Sequence, residues 1–159
     1  MTPTELELLI ALHESQPRLG PGSEAHTRQA LALSGLKGGD SLRIADLGCG
    51  TGASALVLAQ ELDAHIVAVD MVPAFLRELT RRAQEQGLAE RIDIHEASIG
   101  APPFEAESLD AIWSEGAIYN VGFEEGVERW RPVLKHNGLL AVSELTWLRC
   151  ERPLDLEEV

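Results

Sequence analysis

Cysteine and basic residues are scarce in this 159-residue chain, and long apolar runs are missing. The two cysteines, Cys49 and Cys150, make neither a disulfide framework nor a metal-ligand spacing, and a reducing cytoplasm is the simplest compartment for them. Lys and Arg number 13 against 26 Asp and Glu, a formal net charge of -13. Most of such a surface repels nucleic acid, because duplex binding needs basic side chains to neutralise phosphates. The only basic candidate, RELTRRAQEQ (77–86), reads at helical spacing as a solvated face. No apolar run approaches the roughly 18 residues of a membrane span. MTPTELELLI lacks the basic flank of a signal peptide. Low-complexity tracts and internal repeats are missing too. So are His-x-x-x-His, Cys-x-x-Cys and Gly-x-Ser-x-Gly, which leaves metal and acyl-transfer chemistry without support. The length fits one domain, and an apolar content of 45% fits one that buries a core. The charge favours small-molecule ligands.

What is present alternates. The segment TPTELELLIALHES predicts a helix, with Thr2 as cap, Pro3 in its first position, Glu5 completing a capping box, and Leu6, Leu9, Ile10 and His13 on one face. PRLGPG (17–22) is a loop, and Ser23 opens a second helix that runs to about Leu33 and stops at Gly35. These helices occupy 1–36, and a core follows over 41–148. Its expected strands are 42–47, 65–70, 91–97, 109–116 and 138–148. Its expected helices are 53–62, 73–86 and 123–135, the last bent at Pro132, with HNG as the turn after it. HIVAVD (65–70) is nearly all apolar, as central parallel strands are. Strands alternating with helices predict an α/β fold with a parallel sheet and right-handed crossovers.

One loop carries the chemistry. ADLGCGTGAS (45–54) follows the first strand and lets a ligand press on bare backbone at Gly48, Gly50 and Gly52. Asp46 ends the first strand and Asp70 the second, along the carboxyl edge where such sheets hold ligands. The interval from Gly52 to Asp70 is close to the ~20 residues between a glycine loop and a ribose-binding acid. Gly48, Gly50 and Ala53 also satisfy the dinucleotide pattern G-x-G-x-x-A. A carboxylate at Asp46 would repel a pyrophosphate and attract an ammonium or sulfonium. Adenosine joined to a cationic amino acid satisfies both acids, and that ligand is S-adenosyl-L-methionine. The plainer readings are that Asp46 and Asp70 cap the helices that follow them, that Met71 and Cys49 only pack, and that His65 and His95 are structural.

Four motifs in order resemble class I S-adenosylmethionine-dependent methyltransferases. DLGCGTG (46–52) resembles their first motif and VAVD (67–70) their second. EASIGAPPFEAESLDAIWSEGAIYNVGF (96–123) resembles the stretch around their third and fourth strands, and RPVLKHNGLLAVSE (131–144) the helix, turn and strand that end many of them. The resemblance covers about residues 18–148 and is to the small-molecule type, the methyltransferase domains of ubiquinone and menaquinone biosynthesis. It implies a Rossmann-like doubly wound sheet of order 3-2-1-4-5, apparently without the family's usual last two strands. It implies that Asp46, Gly48, Gly50 and Thr51 surround the methionine part. Asp70 takes the ribose, Met71 packs on the adenine, and Ile99 walls its slot. Ser98 stands where many relatives place an acid. RLGPGS (18–23) resembles a loop that closes over the cofactor.

The expected reaction moves a methyl group by in-line displacement to a small-molecule acceptor, leaving S-adenosyl-L-homocysteine. Glu115 and Tyr119 follow the fourth strand at the mouth where an acceptor would sit. Glu115 either accepts a proton or holds the cofactor ammonium, and Tyr119 shapes the pocket. Strand 138–148 would be a long apolar edge, which means either a fragment of a longer protein, the preferred reading, or a homodimer paired through that edge. A non-catalytic S-adenosylmethionine-binding module and, behind it, an NAD(P)-binding oxidoreductase remain as alternatives.

Overall fold

A computed structural model of the chain describes residues 3–39 and 42–146. Among these residues the order is α1 (Pro3–His13), α2 (Glu24–Ser34), β1 (Arg43–Leu47), α3 (Ala53–Glu61), β2 (His65–Asp70), α4 (Pro73–Glu85), β3 (Ile92–Glu96), β4 (Leu109–Glu115), α5 (Phe123–Trp130) and β5 (Leu134–Ser143). The sheet order is β3-β2-β1-β4-β5, and every pairing is parallel. This is the doubly wound arrangement expected from the alternating pattern.

The alternation of side chains along a strand sorts the core into two layers. Ile44, Ile66 and Ala111 face α3 and α4, where they meet Leu58, Leu76 and Leu79. Ala45, Leu47, Val67 and Ile112 face the opposite way, toward Ile118 and Trp130. Asp46 lies two residues from Ile44, so the same alternation turns it toward α3. The predicted stripe on α4, Phe75, Leu76, Leu79 and Ala83, is buried as a unit. Ser23 caps α2 by accepting from the His26 amide, and Gly35 ends it in the left-handed region. Of the predicted α1 face, Ile10 and His13 are half-buried. Thr2 and the side chains of Glu5, Leu6 and Leu9 lie outside what is described.

Two boundaries differ from expectation. The helix predicted over 123–135 stops at Trp130 and gives way to a 3-10 turn over Arg131–Val133. Pro132 cannot donate into a continuing helix. The Trp130 ring is wholly buried and its Nε1 donates to the Ile99 carbonyl at 2.7 Å, which fixes the chain there. The last strand spans Leu134–Ser143 rather than 138–148. HNG is not a turn ahead of the strand but part of an irregularity inside it. Leu109 pairs with Leu134 and Ala111 with Leu139, so residues 135–138 loop out of register, with Asn137 at φ 65°. Trp147 and Leu148 lie outside the described residues.

Candidate functional site

The carboxyl ends of β2, β1, β4 and β5 open into one cavity of about 1370 Å³. Its wall includes Gly48, Gly50, Thr51, Asp70, Met71, Ser98, Ile99, Glu115 and Tyr119. Of the loop and strand-end residues singled out in the sequence, Asp46 and Gly52 are absent from that wall, Gly52 being turned toward Leu79.

The glycine loop is fixed by contacts that exclude a side chain. Gly48 has φ 77°, and a Cβ there would stand 2.3 Å from the Ala117 Cβ. Gly50 has φ 52°, and its Cβ would stand 2.8 Å from Leu19 Cδ1. The loop's amides are spent internally. Those of Gly48 and Cys49 donate to the Val69 carbonyl at 2.8 and 3.1 Å, and that of Gly52 to the Cys49 carbonyl at 2.8 Å. The Gly50 amide donates to Asp70 Oδ2 at 2.9 Å. Asp70 also accepts from the Val72 amide through Oδ1 at 2.9 Å. The carboxylate is thus aimed by two backbone donors at the mouth between β1 and β2. A carboxylate has about four lone-pair sites, so acceptor capacity remains for a ligand.

Asp46 has no exposed surface, and its Oδ2 accepts from Ser54 Oγ at 2.7 Å at the start of α3. Its Oδ1 is buried with no hydrogen-bond partner. Burial pushes its pKa up to about 7, opposed by the Ser54 hydrogen bond and assisted by the charges of Glu115 and Asp70. The sequence places Asp46 against the ligand, whereas the fold places it behind the loop. The reason is the strand alternation that turns it under α3. Cys49 is buried beside it, and burial together with the charges of Asp46 and Asp70 pushes its thiol up, so it packs as a small apolar group.

Glu115 reaches the wall already engaged. Its Oε2 accepts from Arg18 Nη1 at 2.6 Å and from Thr27 Oγ1 at 3.1 Å, and its Oε1 accepts from Trp113 Nε1 at 2.7 Å. Arg18 Nη2 in turn donates to Thr27 Oγ1 at 2.9 Å, and Thr27 is wholly buried. Arg18 belongs to a strap that crosses the glycine loop. Thr51 Oγ1 donates to the Gln16 carbonyl at 2.9 Å, Arg82 Nη1 donates to the carbonyls of Pro17 and Thr51 at 3.0 and 2.7 Å, and Leu19 rests on Gly50. Arg18, Thr27 and Arg82 were not singled out in the sequence. The nearest signal was the resemblance of 18–23 to a covering loop, which marked the segment but not its anchor.

The remaining candidates are less constrained. Met71 and Tyr119 are 69% and 65% exposed on the rim. Ser98 is exposed and its hydroxyl accepts from the Gly100 amide at 3.2 Å, while Ile99 is buried under the Trp130 hydrogen bond. His65 pairs with Asp93 at 2.7 Å on the surface, and Arg81 pairs with Glu78 and Glu85 along α4, the solvated face expected there. No group of His, Cys, Asp or Glu among the described residues could hold a metal ion.

With this geometry in place, likeness to known proteins is specific. Residues 44–138 match the family model described as a methyltransferase domain. The chain belongs to that family. It is 31% identical over 132 residues to erythromycin 3''-O-methyltransferase of Saccharopolyspora erythraea, covering 82% of this chain and 40% of that protein. It is 36% identical over 100 residues to sarcosine/dimethylglycine N-methyltransferase of Aphanothece halophytica, covering 60% and 35%. Among solved structures, YjhP of E. coli superposes with a TM-score of 0.84 at 22% identity, over 96% of this chain and 61% of that one, a likeness of fold. The cyclase SpnF superposes at 0.70 with 26% identity, over 80% and 48%. The chain spans about a third to a half of the length of the first curated relatives it matches.

Proposed function

We propose that the chain is an S-adenosylmethionine-dependent methyltransferase domain acting on a small-molecule acceptor. The observation that carries this is the pairing of the Gly50 amide with the Asp70 carboxylate. A dinucleotide fold offers its glycine-loop amides to a pyrophosphate. Here the amides of Gly48, Cys49, Gly50 and Gly52 are all donated within the protein, and an acid stands beside them. That arrangement suits a nucleoside with a cationic end and opposes a phosphate bridge.

The residues fit such a cofactor. Asp70 would accept from ribose hydroxyls, Ile99 and Met71 would flank the base, and Ser98 offers only a hydroxyl at the base's edge. Gly48, Gly50 and Thr51 would line the methionine part, with the strap over it. Asp46 lies behind the loop, wholly buried, and would not touch the cofactor. When bound, S-adenosylmethionine supplies a methyl group on a positive sulfur, already activated for transfer. The chain's own contribution is then alignment for in-line displacement, a kind of help worth roughly 7–11 kcal/mol. Glu115, held by three donors, fixes the floor of the mouth rather than taking a proton. Tyr119 borders the acceptor side. The cavity of about 1370 Å³ exceeds the ~300–1,000 Å³ of a single small-molecule site and leaves room for two reactants.

Methyl transfer from labelled cofactor to a panel of small hydroxyl, amine and carbon acceptors tests this. Label in at least one acceptor is expected; cofactor binding with no transfer to any acceptor moves the protein to the second reading. That reading is a cofactor-binding module, supported by one observation: among the described residues β5 has no strand on its outer side. Pairing of that edge with a second copy would appear as a concentration-dependent mass in solution. No helix among the described residues is long and apolar enough to cross a membrane.

A further inference from the structure

The cavity has two unequal halves. Over β2 and β1 it presents Asp70, Thr51 and the glycine loop. Over β4 and β5 it presents Ala117, Tyr119, Val121, Leu140, Val142 and Leu145. Large exposed hydrophobic side chains collect at its mouth. Leu33, Met71, Tyr119 and Leu145 are 82%, 69%, 65% and 77% exposed, and all four line it. Exposed apolar surface gathered around one opening marks a binding site, since scattered single residues are the norm elsewhere.

The charges in the same cavity are all engaged. Asp70 is held by two amides. Glu115 is paired with Arg18, which also bonds Thr27. Glu144 accepts from the Tyr119 amide through Oε2 at 3.1 Å and from the Leu145 amide through Oε1 at 2.7 Å. His26 Nδ1 lies 3.0 Å from Ser23 Oγ. The guanidinium of Arg18 is therefore the strongest cation on the described wall, and it is neutralised in place. An anionic acceptor would meet three carboxylates and find no cation to pair with. A desolvated, unpaired anion there is costly. Among the described residues Asp70 and Glu144 are bonded by backbone amides and not by a cation, so the wall opposes an anionic head group and not a cationic one.

From this geometry we infer that the acceptor is a largely apolar molecule without an anionic group, bound over β4 and β5 between Tyr119 and Leu145. The inference rests on the methyltransferase reading only in calling that molecule an acceptor. Its test reads binding, not turnover.

Three probes of equal chain length separate head-group charge from apolar contact: 1-octanol, octanoate and octylammonium. Each is titrated into the whole chain saturated with S-adenosylhomocysteine, with tryptophan emission as the readout, since Trp113 lines the cavity. Octanol and octylammonium are each expected to bind at least about tenfold more tightly than octanoate. Shortening the alcohol is expected to weaken binding about fourfold per methylene removed. Leu145→Lys changes an exposed side chain that the fold does not need. It is expected to tighten octanoate severalfold with affinity for S-adenosylhomocysteine unchanged. Octanoate binding as well as octanol, or no probe binding at all, would each overturn the inference. Failure of S-adenosylhomocysteine to bind would instead overturn the proposed function; the alcohol, tested without it, still decides the character of the mouth.

Discussion

The two carboxylates at the heart of the cavity are held in opposite ways. Asp70 is aimed by backbone amides at positions 50 and 72, all within one strand-loop-helix unit and its neighbour. Glu115 is held by side chains, one of them 97 residues away in sequence. The first arrangement follows from local chain geometry and survives most side-chain changes around it. The second exists only once the strap, α2 and β4 have come together. The Asp70 side of the cavity is thus built by the backbone, and the Glu115 side by long-range side-chain contacts. Asp46 belongs to neither, being buried between them.

This contrast can be broken at its backbone end first. Gly48→Ala puts a methyl 2.3 Å from Ala117 Cβ at a φ of 77°, where other residues are strained. A loss of about 3 kcal/mol or more in unfolding free energy is expected by denaturant titration; a loss below about 1 kcal/mol would mean the loop is not the rigid cradle described.

Asp46 gives a change of similar size with the opposite sign. Its carboxyl is raised from 3.8 to about 7, first by burial. Below about pH 4 it is protonated folded and unfolded, and costs nothing. Between about pH 4 and 7 the unfolded chain releases the proton and the folded chain keeps it, so stability falls as pH rises and then levels off. Asp46→Asn is expected to flatten that slope and to stabilise the apoprotein near pH 7 by up to a few kcal/mol. Parallel stability-pH curves for the two proteins would show that the residue is not held as described.

For the ligand end of the same half, Asp70→Ala is expected to weaken S-adenosylmethionine by about 2–3 kcal/mol, roughly 30- to 160-fold, as two charge-assisted hydrogen bonds are lost. Unchanged affinity would remove the ribose assignment. Arg18→Ala probes the other half. Arg18 and Glu115 keep 14% and 12% of their side-chain surface, so the pair is partly screened. A cost of about 1–2 kcal/mol is expected, with weaker cofactor retention as the strap loosens. Arg18→Lys restores the charge but not the second bond to Thr27, and recovery is expected to be partial. If Arg18→Ala alters neither stability nor retention, the strap is not anchored through this pair.

Legibility followed the same division. The strands β1, β2 and β4 and the apolar stripe of α4 could be read from period and alternation, because each depends on local pattern, whereas the sheet order followed from the family resemblance. The glycine loop and Asp70 could be read from their spacing. Asp46 could be read as an acid near the loop but not as one behind it; the alternation from Ile44 was available in the sequence and would have turned it toward α3. The end of α5 at Trp130 depended on an indole bond to Ile99, a contact between distant segments. The bulge over 135–138 depended on how β5 meets β4. Arg18 carried no signal at all, since an arginine in a loop says nothing of an acid 97 residues on.

The electrostatic character of the cradle decides the whole account, and calorimetric titration of the chain with S-adenosylmethionine and, separately, with NADH reads it most directly. Heat and saturation with the sulfonium ligand, lost or weakened in Asp70→Ala, and none with the dinucleotide, is the expected result. Saturable binding of NADH with no binding of S-adenosylmethionine would contradict it.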